Sequence, residues 1–260
     1  MSLAIRVADL DTVITSLRYD GLRRHRLIEL GSFRQLVATG RVPMCFGPVA
    51  SFASSAGLAA IGIATIRRRS HPRQIPIALI PLLFSVQQLL EGVLWIVLVE
   101  SSRSSLSNML MNGFLFVAFI VWPVATPLCV YLLEPKRSRK LLMRPFIALG
   151  VVVSSYLLWF LATETVTARI VNHCILYDAK IYGPRELVAI YLTATVVPFL
   201  FSSSRIIVLL GVVNIALCAV AFYAYAVTFV SVWCFLAAIV SAFIYYEVSR
   251  GRPRSRAMGE

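Results

Sequence analysis

The sequence predicts an all-α fold, a polytopic membrane protein built as a bundle of seven transmembrane helices. Of the 260 residues 59% are hydrophobic and 14% are charged, which is more apolar surface than one soluble core can bury. Apolar runs long enough to cross a bilayer recur from residue 47 to residue 248. The net charge of +13 comes largely from basic residues in the connections between those runs. This pattern is typical of integral membrane proteins rather than of nucleic-acid-binding proteins.

Each of the seven apolar segments is close to the roughly 20 residues that an α-helix needs to cross about 30 Å of hydrocarbon. Pro123 and Pro127 in the third segment and Pro198 in the fifth are expected to kink their helices, leaving carbonyls that neighbouring side chains can satisfy. Short connections join the last three segments, which are therefore expected to pack as antiparallel neighbours. The segments cover residues 47–66, 75–99, 107–133, 142–163, 185–204, 206–225 and 227–248.

Residues 1–43 differ from the rest of the chain. They hold seven arginines, four acids and no long apolar run, so they contain no secretory signal peptide. One interpretation is an N-terminal extension that is disordered or weakly helical. The interpretation we favour is that translation starts at Met44, where the membrane pattern begins.

The lysines and arginines predict the orientation of the helices. Fourteen of them lie in connections and a tail on one side of the predicted membrane, and four lie on the other side. By the positive-inside rule the fourteen are cytoplasmic, so the first helix begins outside and the C-terminus is cytoplasmic. The sequence thus predicts a transmembrane domain over 44–249 and a basic cytoplasmic tail over 250–260.

The predicted location is the bacterial plasma membrane. Arginine outnumbers lysine 22 to 3, which is typical of a GC-rich bacterial genome. The expected partners are the lipid bilayer and, at the cytoplasmic face, anionic lipids attracted by the basic loops. The sequence identifies no protein partner, and its basic loops do not indicate nucleic acid binding.

Three strongly polar side chains, Gln87, Gln88 and Glu91, interrupt the second apolar segment. A carboxylate near the middle of a bilayer costs roughly 2.5–3.5 kcal/mol on insertion scales, so such a residue normally faces the bundle interior and has partners there. At 100° per residue Gln87, Glu91 and Trp95 form one stripe on the helix. Glu91 lies eight residues before Val99, which places it roughly 12 Å below the outer surface at about 1.5 Å per residue.

The same counting of depth brings side chains of other helices to this layer. Cys234 lies eight residues into the seventh helix and so falls at about the depth of Glu91. Asn112 on the third helix and Tyr191 on the fifth come out slightly shallower. The connection over 164–186 is long, and connections of that length are more often functional lids or caps than plain linkers.

Three interpretations of this outer layer remain open. In the first, Glu91 is an uncharged carboxyl that bonds to neighbouring side chains as structural glue. In the second, the layer binds a small ligand or a proton-coupled solute. The residues of that site are Gln87, Gln88, Glu91, Trp95, Asn112, Tyr191 and Trp233. In the third, a metal or thiol-redox site forms on the outer side. Its residues are Cys45, His173, Cys174 and Cys234.

Several classes of protein are excluded. A retinal protein needs a lysine in its last helix, whereas the lysines lie in the connections. The three histidines are too scattered for a three-histidine zinc site within one monomer. Neither a phosphate-binding glycine loop nor a Gly-x-Ser-x-Gly motif is present. The sequence therefore predicts no catalytic residue and identifies no cofactor.

Short motifs along 44–248 carry a resemblance to a family. They are Met44-Cys45-Phe46, Ala50-Ser51-Phe52, Pro81-Leu82-Leu83-Phe84, Gln87-Gln88, Glu91-Gly92, His173-Cys174 and Val232-Trp233-Cys234. In these motifs the chain resembles an uncharacterised family of bacterial seven-helix integral membrane proteins that begin Met-Cys-Phe-Ser or Met-Cys-Trp-Ser. Gly47 departs from the usual serine. The resemblance implies a start at Met44 and seven helices, and it brings no established activity.

These observations together predict a non-enzymatic module that binds or senses a ligand at a polar site in the outer half of the bundle. Transport of a small or proton-coupled solute that uses Glu91 is the alternative. A metal or thiol-redox membrane protein is the second alternative.

Overall fold

A computed structural model describes residues 47–100, 104–171, 173–178 and 185–250. The predicted extension over 1–43, Cys45 and the tail beyond Arg250 lie outside the described residues. The described chain is mostly helical, with one two-stranded antiparallel hairpin between the sixth and seventh helices.

The helices begin and end as follows. They are α1 (Pro48–Arg68), α2 (Ile75–Ala78), α3 (Ile80–Glu100), α4 (Ser105–Phe116), α5 (Trp122–Leu133), α6 (Arg137–Thr163), α7 (Arg185–Thr195), α8 (Val197–Leu200), α9 (Arg205–Ala224), α10 (Phe229–Ser241) and α11 (Ile244–Arg250). The strands are β1 (Thr167–Val171) and β2 (Cys174–Asp178). A π-helical turn over Val117–Val121 joins α4 to α5.

Within the described residues, six helical stretches are long and apolar enough to cross a membrane, as expected for a multi-pass membrane protein. They are Pro48–Arg68, Pro72–Glu100, Ser105–Leu133, Arg137–Thr163, Arg205–Ala224 and Phe229–Ser249. These six match six of the seven predicted segments. The remaining segment, the fifth along the chain (185–204), corresponds to two shorter helices, α7 and α8.

The break between α7 and α8 follows from Pro198. Proline has no N–H to donate to the carbonyl four residues earlier, and its ring disfavours helical backbone at the preceding residue. The helix therefore ends at Thr195, and Pro198 lies in the first turn of α8. The Thr195 hydroxyl turns back and donates to the carbonyl of Tyr191 (2.8 Å).

The third segment, in which Pro123 and Pro127 predict kinks, contains a π-helical turn directly before Pro123, and α5 continues through Pro127. Because proline cannot donate, the helical ladder is interrupted here. Neighbouring helices satisfy carbonyls of this turn. Ser154 Oγ of α6 donates to the carbonyl of Ile120 (2.8 Å), and the Tyr191 hydroxyl of α7 donates to that of Ala118 (2.5 Å). The irregular turn is thereby fixed between α6 and α7.

Close packing of small residues joins the helices in two places. Ser55 of α1 and Ser85 of α3 donate to each other's carbonyls (2.9 and 2.8 Å). On α6, a Cβ atom at Gly150 would overlap the carbonyl oxygen of Pro123, so only glycine lets α6 approach α5 here. Small residues have this role at many helix contacts in membranes.

One end of the bundle, which we call the basic end, is held by Glu134. This carboxylate follows α5 and accepts hydrogen bonds from the N–H and Oγ of Ser203 (2.7 and 2.5 Å) and from the N–H of Lys136 (3.1 Å). Arg139 donates to the carbonyl of Ser202 (2.6 Å). Burial alone favours the neutral carboxyl, but these hydrogen bonds and the charge of Arg139 outweigh it and lower the pKa of Glu134. The α5–α6 and α8–α9 connections therefore lie together.

The opposite end, which we call the hairpin end, carries β1 and β2. The strands pack on α3, α4 and α10. Tyr177 of β2 stacks on Phe114 of α4, with ring centroids 4.7 Å apart. His173 occupies the turn of the hairpin with a φ of 57°. α7 follows the hairpin along the chain, and α8 ends at Leu200, just before the Ser202 and Ser203 contacts of the basic end.

Candidate functional site

The three polar residues predicted to face the bundle interior are fully buried in it. Gln87 and Gln88 are 0% exposed and Glu91 is 2% exposed. Glu91 Oε1 accepts hydrogen bonds from Ser231 Oγ of α10 (2.5 Å) and from the Tyr177 hydroxyl of β2 (3.4 Å). Its other oxygen accepts from Gln88 Nε2 (3.3 Å). The carboxyl group therefore ties α3 to the last long helix and to the hairpin.

Gln87 links α3 to α5. Its Oε1 accepts a hydrogen bond from Trp122 Nε1 (2.9 Å), and the Trp122 ring stacks on Phe84 with centroids 4.2 Å apart. Gln87 Nε2 and Gln88 Oε1 are buried and have no hydrogen-bond partner among the described residues. A buried amide atom without a hydrogen-bond partner lowers the stability of the fold, and in proteins a buried water molecule commonly supplies the missing partner.

The other predicted ligand-site residues lie in three different surroundings. Tyr191 and Trp233 meet edge to face, with ring centroids 6.0 Å apart. Trp95 is buried in the apolar cluster beneath the hairpin, together with Cys234. Asn112 is exposed on α4, so the structure does not bring its side chain to this layer.

The predicted metal or redox residues come together only in part. Cys174 and Cys234 are buried and lie near enough to Glu91 to interact with it electrostatically. His173 is exposed at the turn of the hairpin, and Cys45 lies outside the described residues. Among the residues that are described, no three His, Cys, Asp or Glu side chains are placed to hold a metal ion. The metal site stays a prediction.

Burial also affects the chemistry of the hairpin. It raises the pKa of the Cys174 thiol to about 11, so the thiol stays protonated at neutral pH and is a poor nucleophile or metal ligand in this state. Burial, reinforced by the neighbouring Glu91 carboxyl, raises the pKa of Tyr177 well above its ordinary value. The Tyr177 hydroxyl is therefore a stable donor to Glu91.

A cavity of about 470 Å³ lies at the hairpin end, and we call it the hairpin-end cavity. Four consecutive residues of β2, from Ile175 to Asp178, form one wall, and α7 and α10 form others. Charged side chains in the lining are Arg169 and Asp178. Most of the remaining lining is apolar or aromatic, including Ala118, Phe119, Leu157, Leu187, Val188, Phe229 and Val230.

A second, smaller cavity of about 60 Å³, the central cavity, lies deeper in the bundle. Three residues, Tyr191, Trp233 and Cys234, line both cavities, so they form the partition between them. Hydrogen bonds fix both rings of the partition. The Tyr191 hydroxyl donates to the carbonyl of Ala118 (2.5 Å), and Trp233 Nε1 donates to Asn214 Oδ1 (2.9 Å).

A third cavity of about 440 Å³ opens at the basic end, and we call it the basic-end cavity. On three segments of the chain, the residue that lines the basic-end cavity lies one helical turn from a residue that lines the central cavity. Ile77, Ile207 and Val248 line the basic-end cavity, and residues three or four positions away line the central one. Those residues are Ile80, Leu210 and Ile244.

Two irregular stretches of backbone, the π-helical turn and the end of α7, border these cavities. Ala118 and Phe119 of the π-helical turn line the hairpin-end cavity, while Thr195 and Val196 at the end of α7 line the central one. At membrane depth, irregular backbone is tolerated where it is buried in protein or lines a cavity. π-Helical turns are also frequent at functional sites. Glu91 itself lines none of the three cavities.

Counting depth along the sequence did not identify two residues that donate hydrogen bonds to Glu91 and Gln87, namely Ser231 and Trp122. Ser231 precedes Cys234 by one helical turn and so lies on the same face of the helix. That spacing was the one feature of the sequence that could have assigned Ser231 to the cluster, because a single serine in an apolar helix is otherwise ordinary. Trp122 was not assigned a role, although it follows the third segment's midpoint next to Pro123.

A family of unknown function (DUF6629) matches residues 44–259 of the chain. The chain belongs to this family. The match confirms the resemblance to an uncharacterised family that the motifs predicted. No curated protein and no solved structure matches the chain. The family has no assigned function, so the match by itself identifies no activity.

Proposed function

We propose that this protein binds a small, largely apolar ligand inside its membrane bundle, at the hairpin-end cavity. The observation that carries the proposal is the cavity itself, about 470 Å³ in volume and lined mainly by apolar and aromatic side chains. Sites for small molecules commonly measure about 300–1,000 Å³ and have this kind of lining with a few polar groups. Arg169, Asp178 and Tyr191 supply those groups here.

In this proposal Glu91 positions the wall of the site. Tyr177 lines the hairpin-end cavity and donates to Glu91, while Ser231 holds the same carboxyl from α10. Gln87, Gln88 and Glu91 do not belong to the lining of the three cavities described above. The polar cluster thus acts as the structural glue that fixes the hairpin over the site, rather than as the anchor of the ligand.

We further propose that α7 and α8 form a seventh crossing, which sets the orientation of the whole chain. The two helices and their break cover 16 residues, or roughly 24 Å at about 1.5 Å per residue. With seven crossings, Arg139 and Arg205 lie on the same side of the membrane. By the positive-inside rule this basic end is in the cytoplasm of a bacterium and the hairpin end is outside. Anionic lipids are then the expected neighbours of the basic end.

Native mass spectrometry of the full chain, released from nanodiscs, tests the binding proposal. We expect a bound molecule that survives purification with the wild-type protein. The change Leu187→Trp fills the cavity from α7 and is expected to abolish the bound species. Ile190→Trp is the matched control, because Ile190 is on the same helix, is 40% exposed and does not line the cavity. Retention of the bound species by Leu187→Trp, or its absence from the wild type, would contradict the proposal.

A further inference from the structure

We infer that the three cavities form one route across the bundle for small uncharged solutes. The inference goes beyond binding and rests on the proposed function in one respect, since the hairpin-end cavity serves as the entrance. The central cavity lies between the other two, because it shares lining residues with the hairpin-end cavity and lies one helical turn from the lining of the basic-end cavity on three segments of the chain. The partition of Tyr191, Trp233 and Cys234 separates the first from the second.

The second barrier is an apolar layer between the central cavity and the basic-end cavity. Its side chains come from α2, α3, α9 and α11 and are nearly inaccessible, with exposures between 1% and 7%. They are Ile77, Ile80, Ile207, Leu210, Ile244 and Val248. A small chamber thus lies between two larger vestibules, and buried side chains separate it from each of them.

The chamber selects against charge. Among the described residues that line the central cavity there is no charged side chain, while Thr126, Thr195, Asn214 and Ser241 offer hydroxyl and amide groups. The three hydroxyls donate to carbonyls of their own helices, which leaves their oxygens free to accept. An ion would lose its hydration here without a counter-charge, which is strongly unfavourable.

Size narrows the class of solute further. A site needs about 10–15 Å³ of comparable cavity volume to hold one water molecule. A chamber of about 60 Å³ accordingly holds a few waters or one solute of a few heavy atoms. Each vestibule presents charges of both signs, Arg169 with Asp178 and Arg205 with Glu247, so neither mouth selects for one sign. Glycerol and urea have the matching chemistry and size.

The broken helix supplies the part that can move. Tyr191 of the partition and Thr195 of the chamber both lie on α7, directly before the break at Val196. The other end of this segment is held by Glu134 and Arg139 at the basic end. Bending at the break would lift the Tyr191 ring away from Trp233 without releasing that anchor. Hinges of this kind, a few residues at the end of an element, are common in gated proteins.

Stopped-flow light scattering on proteoliposomes that contain the full chain tests the route. Under inward gradients of glycerol or urea we expect faster reswelling than in protein-free liposomes, and no entry of potassium ions. Ala237→Leu fills the chamber and is expected to return glycerol entry to the protein-free rate. Ala216→Leu, at an exposed position of α9, is the matched control and should keep the wild-type rate.

A second variant is needed because misfolding of Ala237→Leu would also abolish glycerol entry. Trp233→Ala removes the largest of the three side chains of the partition, so glycerol entry should rise severalfold while potassium stays excluded. Glycerol and urea entry no faster than in protein-free liposomes, or an Ala237→Leu rate equal to that of the wild type, would overturn the route. Potassium entry together with glycerol would also overturn it. If the bound species in native mass spectra persists in a protein without flux, the route fails and the binding proposal stands.

Discussion

At the scale of single residues, Glu91 shows how a buried carboxyl can be a structural centre. Its two oxygens receive hydrogen bonds from Ser231, Tyr177 and Gln88, which come from three separate elements. Hydrogen bonds between transmembrane elements stabilise membrane proteins modestly one by one. Removing a shared acceptor is more serious, because it leaves several buried donors without partners.

We therefore predict that Glu91→Leu lowers the stability of the protein by about 1–3 kcal/mol for each buried donor left unsatisfied. Glu91→Gln should cost much less, since an amide oxygen can still accept from Ser231. The measurement is thermal unfolding in detergent. Glu100→Gln, at an exposed end of the same helix, is the control and should leave the midpoint unchanged. A Glu91→Leu protein as stable as the wild type would contradict this role of the carboxyl.

Part of this residue-level arrangement was predictable from the sequence. The cost of a carboxyl in an apolar helix predicted inward-facing partners, and counting helical rise predicted Cys234 at about the depth of Glu91. In the structure Cys234 lies near enough to Glu91 to interact with it electrostatically. Asn112 was predicted slightly shallower, and its side chain is exposed. Depth along a helix axis is readable from the sequence, whereas the direction a side chain faces depends on how the helices pack.

At the scale of elements, proline explains two of the irregular stretches of the bundle. Pro123 follows a π-helical turn whose carbonyls are satisfied by Ser154 and Tyr191, and Pro198 follows the break between α7 and α8. The sequence predicted both kinks, but it did not predict that they would border cavities. The sequence predicted the hairpin only as a long connection. Its two short strands are stabilised by contacts with α3, α4 and α10, and those contacts leave no pattern in the sequence.

The seventh crossing makes a prediction about these elements. Glu186 and Arg205 are exposed residues that flank α7 and α8. A cysteine placed at Glu186 should react with a membrane-impermeant maleimide in intact cells, and a cysteine at Arg205 should react only after the membrane is opened. The wild-type chain, whose described cysteines are all buried, is the background control. Reaction of both positions from the same side would show that α7 and α8 enter and leave at one face.

At the scale of the whole molecule, the cavities lie in a row between the hairpin end and the basic end. Two clusters of buried side chains, one towards each end, support the two larger cavities. Hydropathy predicted the bundle because membrane spans are long and apolar in sequence. The cavities were not predictable in the same way, since each depends on how side chains from four or more elements leave space.

The proposed function depends on the hairpin-end cavity. An electron cryo-microscopy map of the full chain in nanodiscs, held by an antibody fragment, tests this cavity most directly. We expect non-protein density enclosed by Tyr177, Leu187 and Trp233, with the Tyr177 hydroxyl directed at Glu91. A map in which protein side chains fill that space, so that β2 and α7 pack directly on α10, would contradict it.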